Sequence, residues 1–132
     1  MEITSGWKDA PGKINDVFNF ASDLNNMGIL MPEQVINWKA DTDTCSFTIK
    51  GMTNLSLRLD EIRPNRLIRL VPNGKSPFEF DLVMHFREIG EEQTQIKVEL
   101  NAELNPMLAM MAKRPLQNLV NIIAEKLSYQ KF

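Results

Sequence analysis

The chain changes its apolar period at Pro32. In residues 13–30, apolar positions recur every three or four residues, which predicts an amphipathic helix and then a second short helix over residues 24–30, with Asp23 as its cap. Pro32 ends this region because it has no backbone N–H and restricts the residue before it. Beyond Pro32 the period falls to two, which predicts strands that each bury one face.

The residues before the first helix carry a weaker pattern. Residues 3–8 predict a short strand, although Gly6 weakens the prediction. Residues 9–12 read Asp-Ala-Pro-Gly and predict a turn. We therefore expect one short N-terminal strand.

Two hairpins are predicted in the middle of the chain. The first turns at residues 41–44, and its apolar residues then share one face. Residues 55–60 form the next strand and turn back at residues 63–66 into residues 67–71, so Asp60 faces Arg69 on the solvent side. The apolar pairs of the first hairpin are Ala40 with Cys45, Trp38 with Phe47, and Ile36 with Ile49.

The clearest alternation lies in residues 78–86 and 96–104, which predict two long neighbouring strands. A slip of one residue would place Glu and Lys opposite aromatic side chains, so the pattern itself determines the register. The inward pairs are Phe86 with Ile96, Met84 with Val98, Leu82 with Leu100, Phe80 with Ala102, and Phe78 with Leu104.

A long helix is predicted from Asn105 to about Tyr129. Asn105 is a cap, and proline at the next position loses nothing, because its missing N–H would be unpaired there anyway. Pro115 lies inside this helix, where we expect a kink. The predicted apolar stripe consists of Leu108, Met111, Ala112, Leu116, Leu119, Val120, Ile123 and Leu127.

This order of elements resembles the helix-grip fold of the START-like, or SRPBCC, superfamily. The local similarities are the segment VFNFASD at residues 17–23, Met31-Pro32 before the second strand, and PLQNL at residues 115–119. The superfamily includes polyketide cyclases, pollen-allergen-like proteins and lipid-transfer domains. The resemblance implies one α+β domain over residues 1–132, with a curved antiparallel sheet of about six or seven strands around the C-terminal helix and two short helices after the first strand.

The resemblance also implies a ligand cavity between the sheet and the C-terminal helix. Its walls would be inward strand residues, joined by methionines of the last helix, because methionine suits an adaptable surface or a gate. The candidate ligand-binding residues are Trp38, Phe47, Leu57, Phe80, Leu82, Met84, Leu100, Met107 and Met111.

Composition narrows the range of partners. The chain is 43% hydrophobic and 24% charged, as in globular proteins. Its net charge is -2, and its Lys and Arg residues are scattered, so they form no basic stripe that would bind nucleic acid. Cys45 is the only cysteine, so no intrachain disulfide can form. We see no export signal and no apolar run long enough to span a membrane, so we expect a cytoplasmic location. The sequence makes no prediction of oligomeric state.

Few residues suggest catalysis or metal binding. His85, the only histidine, falls on the polar side of its strand opposite Lys97, without a catalytic partner. The strand carboxylates also face outward, where their acidities stay ordinary. We therefore assign no catalytic residue, no metal site and no cofactor.

Three functions remain open from the sequence. The leading hypothesis is binding or carriage of a small hydrophobic ligand, lipid-like or polyketide-like, without catalysis. The first alternative is a polyketide-cyclase-like enzyme, which would need an inward polar residue with a shifted pKa. The second is a protein-interaction module with a filled core.

Overall fold

The computed structural model describes residues 1–132 as seven strands and three α-helices. The strands are β1 (Glu2–Pro11), β2 (Val35–Ala40), β3 (Thr44–Ile49), β4 (Thr53–Arg63), β5 (Leu67–Pro72), β6 (Glu79–Gly90) and β7 (Gln93–Glu103). The helices are α1 (Ile14–Ser22), α2 (Leu24–Met27), which continues into a 3-10 turn (Gly28–Leu30), and α3 (Pro106–Tyr129).

One antiparallel sheet curls around α3. Its strand order is β1-β7-β6-β5-β4-β3-β2, so β1 and β2 are the two edge strands. The pair α1 and α2 connects one edge to the other along the chain. The inward faces of the strands and the buried face of α3 form one hydrophobic core, as the alternating strand pattern predicts. The predicted fold class is confirmed.

The register of β6 and β7 agrees with the sequence prediction. Alternation along both strands buries every second residue, which leaves one register that keeps charges outside. The fifth predicted pair, Phe78 with Leu104, lies just beyond the ladder, which ends at Glu79 and Glu103. The four confirmed pairs are Phe86 with Ile96, Met84 with Val98, Leu82 with Leu100, and Phe80 with Ala102.

Strand β1 is longer than predicted, and the turn expected at residues 9–12 is wrong. The strand continues to Pro11. An edge strand tolerates proline, because one side of its backbone has no neighbouring strand and needs no N–H donor there. A bulge between Thr4 and Trp7 interrupts the pairing with β7. Gly6 lies in this bulge with a φ of 70°, a conformation that glycine adopts without strain.

A second bulge changes the first predicted hairpin. Ala40 pairs with Cys45 as predicted, but the pairing shifts between Ile36 and Lys39, so two of the three predicted pairs are wrong. Asn37 occupies the bulge with a φ of 57°. Two residues of β2, Asn37 and Trp38, therefore lie opposite one residue of β3, and residues 35 and 36 pair one place away from their predicted partners. Lys39 pairs with Ser46 in the predicted register, whereas Ile36 pairs with Thr48 and Val35 with Ile49 in the shifted one.

The ion pair predicted between β4 and β5 forms despite a shifted register. Glu61, rather than Asp60, lies opposite Arg69, because β4 has an irregularity between Leu59 and Glu61. Even so, Arg69 Nη1 lies 2.6 Å from Asp60 Oδ2, and its Nε lies 3.0 Å from Asp81 Oδ2. These outer-face pairs are partly exposed, so each is worth little stability.

Helix α3 begins at the predicted cap. Asn105 Oδ1 accepts a hydrogen bond from the backbone N–H of Leu108 at 2.9 Å, and the helix runs unbroken through Pro115. The predicted stripe is correct from Ala112 onward, where the helix faces the sheet. Leu108 and Met111 are exposed instead, because the first turns of α3 extend away from the core.

Candidate functional site

The candidate site is a small cavity between the sheet and α3. All fourteen side chains that line it are hydrophobic. The lining comes from six strands, β2 to β7, and from α2 and α3. The cavity therefore lies inside the fold. The lining residues are Leu24, Met27, Met31, Trp38, Cys45, Phe47, Leu55, Leu57, Leu70, Phe80, Leu82, Leu100, Leu119 and Ile123.

The cavity is almost closed in this conformation. The space open to the centre of a water-sized sphere is about 10 Å³, which is close to the minimum that a single water needs. Small-molecule pockets commonly measure about 300–1,000 Å³. The interior is therefore nearly filled, and a ligand of ordinary size would require the walls to move.

Six of the nine sequence-predicted site residues line this cavity. The strand residues were predicted from alternation, which correctly gives the buried face. Met84 is buried in the core outside the lining. Met107 and Met111 are corrections, since they lie on the surface with exposed fractions of 75% and 68%. The six are Trp38, Phe47, Leu57, Phe80, Leu82 and Leu100.

Sequence reasoning missed the remaining lining residues for two different reasons. Leu119 and Ile123 lie in the predicted stripe of α3. Cys45, Leu55 and Leu70 are inward in their strands, so a signal was present for all five residues. Nothing in the sequence placed the side chains of residues 24–31 over the open side of the sheet. Those residues are Leu24, Met27 and Met31.

Trp38 closes the cavity at the edge of the sheet. Trp38 lies on the inner face of β2 beside the bulge, and its indole stacks on Phe47 with ring centroids 5.3 Å apart. Its other contact is Gly28 in the 3-10 turn: a Cβ there would lie 2.7 Å from the Cδ1 atom of Trp38. Only glycine allows this approach. The indole Nε1 is buried and has no hydrogen-bond partner.

Cys45 is the only lining residue with a titratable side chain. Its Sγ lies among apolar groups, and loss of solvation raises the pKa of the thiol to about 12. The thiol therefore keeps its proton at neutral pH and is a poor nucleophile. No group of three or more His, Cys, Asp or Glu side chains is placed to hold a metal ion.

Charged and aromatic residues cluster on the opposite, outer face of the sheet. His85 pairs with Lys97, as predicted, and its Nε2 lies 3.7 Å from Glu99 Oε1. The Trp7 ring lies between two cations, with Arg87 Cζ 4.0 Å and Lys97 Nζ 5.0 Å from its centroid. This cluster covers the outer face and does not reach the cavity.

Comparison with known proteins identifies the fold. No protein-family model matches the sequence, and no curated protein matches it. A crystal structure of a protein from Thermus thermophilus superposes with a TM-score of 0.76 at 15% identity, covering 98% of this chain and 95% of that one. A START superfamily protein from Mycobacterium smegmatis has a TM-score of 0.70 at 12% identity, with 97% of each chain covered.

Norcoclaurine synthase of Thalictrum flavum is also similar in structure. A point mutant of that enzyme, in complex with a transition-state analogue, has a TM-score of 0.69 at 10% identity, covering 96% of this chain and 93% of that one. The identities are low, so these likenesses concern the fold alone. The chain has the helix-grip fold of START-like proteins, as the sequence resemblance implied. None of its helices is both long enough and apolar enough to cross a bilayer.

Proposed function

We propose that this protein binds or carries a small hydrophobic molecule, lipid-like or polyketide-like, between the sheet and α3. The observation that supports this most directly is the lining of fourteen hydrophobic side chains. Burial of apolar ligand surface contributes about 25 cal/mol per Å². An enlarged form of this cavity would therefore bind an apolar molecule without a charged anchor.

The wall of the cavity formed by α2 and the 3-10 turn is the one that we expect to move. The α2 helix has four residues and the 3-10 turn has three, and helical segments this short gain little stability from their own hydrogen bonds. Met27 and Met31 supply the side chains of this wall, and methionine adapts readily to new neighbours. The adjoining Trp38 lies on an edge strand. We expect a ligand to displace this wall and leave the sheet and α3 in place.

The same lining favours binding over a polyketide-cyclase-like reaction. General acid–base catalysis needs a titratable group within reach of the substrate, with a pKa near the working pH. The lining includes one such group, Cys45, whose pKa of about 12 keeps it protonated. The polyketide-cyclase-like enzyme remains the alternative. A polar residue that enters the cavity when the wall moves would support it.

A second candidate function rests on a different surface. Met107 lies one helical turn from Met110 and Met111 on α3, and all three are largely exposed. Exposed methionines are common at adaptable protein-binding surfaces. Together with the nearly filled interior, they support a protein-interaction module whose contact surface is the start of α3.

Native mass spectrometry of the protein purified from its own host tests the binding proposal. Phe80 and Phe86 lie on β6 and are both buried, but only Phe80 lines the cavity. We expect a defined small-molecule mass with the wild-type protein that is released on denaturation. Phe80→Trp should lose this mass, because the larger ring takes the space of the ligand.

Phe86→Trp is the matched control, since it adds the same volume to the core outside the lining. It should retain the bound mass, and thermal unfolding of both variants checks that each is folded. Repeated preparations without any bound molecule would contradict the proposal and favour the interaction module. The cytoplasmic location stays a prediction.

A further inference from the structure

The Trp38 indole has an unpaired donor inside an apolar cavity. Trp38 is the only one of the fourteen lining residues with a side-chain nitrogen, and none of them has a side-chain oxygen. Buried polar groups in native proteins almost always have a hydrogen-bond partner, so an exception needs an explanation. Trp38 Nε1 has none in this structure.

A single trapped water is a poor partner for this donor. The cavity of about 10 Å³ has barely enough room for one, and a buried water needs two to four polar partners to be stable. The lining residues offer one nitrogen donor and no side-chain oxygen acceptor. A larger, mostly apolar molecule that carries an oxygen could supply the acceptor for Trp38 Nε1.

The position of the indole relates this donor to opening of the cavity. A Cβ at Gly28 would lie 2.8 Å from Trp38 Nε1, so the backbone of the 3-10 turn covers the nitrogen edge of the ring. The stacked contact with Phe47 holds the ring itself on the sheet. Displacement of the turn would uncover the N–H while the ring stays in place.

We infer that Trp38 Nε1 donates a hydrogen bond to a neutral oxygen acceptor on the bound molecule, which makes Trp38 a specificity-determining residue. This inference rests on the proposed function and adds the chemical class of the ligand: an apolar molecule with a carbonyl, ether or hydroxyl oxygen. A carboxylate does not fit, because the lining has no cation to pair with a buried charge.

Two probes of nearly equal shape test the inference. Benzophenone and diphenylmethane differ in one group, a carbonyl in the first and a methylene in the second. Trp38→Phe keeps an aromatic ring against Phe47 and removes the N–H. Trp7→Phe is the matched control, because Trp7 lies on the outer face of the sheet. Dissociation constants come from NMR titration of the ¹⁵N-labelled proteins.

For the wild type we expect benzophenone to move the NMR signal of the Trp38 indole proton downfield. The preference for benzophenone over diphenylmethane, taken as the ratio of their dissociation constants, should be about fivefold larger in the wild type than in Trp38→Phe. Trp7→Phe should keep the wild-type preference. The ratio of the two dissociation constants cancels any change in packing caused by the smaller ring, because that change affects both probes. In the wild type, the Trp7 indole signal should stay in place.

The possible failures are distinguishable. If both probes bind the wild type and Trp38→Phe with the same ratio, the inference is wrong and the proposed function survives. If the wild type binds neither probe at saturating concentration, both are wrong. A downfield shift at Trp7 in place of Trp38 would also contradict the inference, because the acceptor would then lie on the outer face.

Discussion

The two tryptophans occupy equivalent places on opposite edges of the sheet and have opposite surroundings. Trp7 on β1 and Trp38 on β2 each adjoin a bulge. Trp7 faces outward between the cations of Arg87 and Lys97, which attract the face of its ring. Trp38 faces inward, against Phe47 and Gly28, with an unpaired N–H.

This difference separates a residue that stabilises the fold from one that we assign to ligand binding. On the outer face the aromatic ring is matched to its charged neighbours, which explains it without a ligand. In the interior, phenylalanine would pack against the same neighbours without burying a donor. The unpaired N–H is the feature of Trp38 that we assign to ligand binding. Substitutions at the two tryptophans should therefore differ in their effects.

The largest difference should appear on truncation. Trp38→Ala removes a half-buried ring that packs against the core and should lower the free energy of unfolding by about 3 kcal/mol, because it leaves a cavity. Trp7→Ala loses the two cation contacts on a partly solvated face and should cost about 1 kcal/mol. Urea unfolding monitored by circular dichroism measures both. Equal losses would mean that the two edges contribute alike and would remove the basis of the comparison.

A smaller effect concerns the other polar group of the interior. Burial raises the pKa of Cys45 to about 12 from an ordinary 9.0. Between these values the unfolded chain loses the thiol proton and the folded protein keeps it, so the stability present below pH 9 is lost as pH rises toward 12. The expected loss from about pH 8 to about pH 10 is about 1.4 kcal/mol.

Cys45→Ala isolates this contribution, because other groups that titrate in the same range are common to both proteins. The stability difference between wild type and Cys45→Ala should shrink by that amount as pH rises, in guanidinium unfolding at the two pH values. A difference that is independent of pH would mean that the thiol ionises in the folded protein, and the interior would then be wetter than the structure indicates.

Alternation predicted the long hairpin because both of its strands follow it closely, with Val83 the one buried residue on the outer face of β6. The β6 and β7 register was therefore predictable, and with it Phe80, Leu82 and Leu100 in the cavity lining. Bulges were not predictable, because an extra residue such as Asn37 leaves the sequence pattern intact while it shifts the pairing on one side of it.

The extent of packing was also beyond the sequence. A helical stripe gives the direction in which α3 faces, but it does not show where the sheet beneath the helix ends. Met111 was therefore predicted on the buried face, and Met107 beside the cavity, although both are exposed. Whether the interior is hollow or filled depends on how volumes add in three dimensions. The cavity volume of about 10 Å³ therefore emerged only from the structure.

The methionine methyl groups provide the most direct test of binding in the interior, because they report on both candidate surfaces at once. Met27 and Met31 line the cavity, whereas Met107, Met110 and Met111 are exposed on α3. In a ¹³C-methyl NMR titration with diphenylmethane, we expect the signals of Met27 and Met31 to shift and saturate while those of the three exposed methionines stay in place. Shifts confined to Met107, Met110 and Met111 would contradict binding between the sheet and α3.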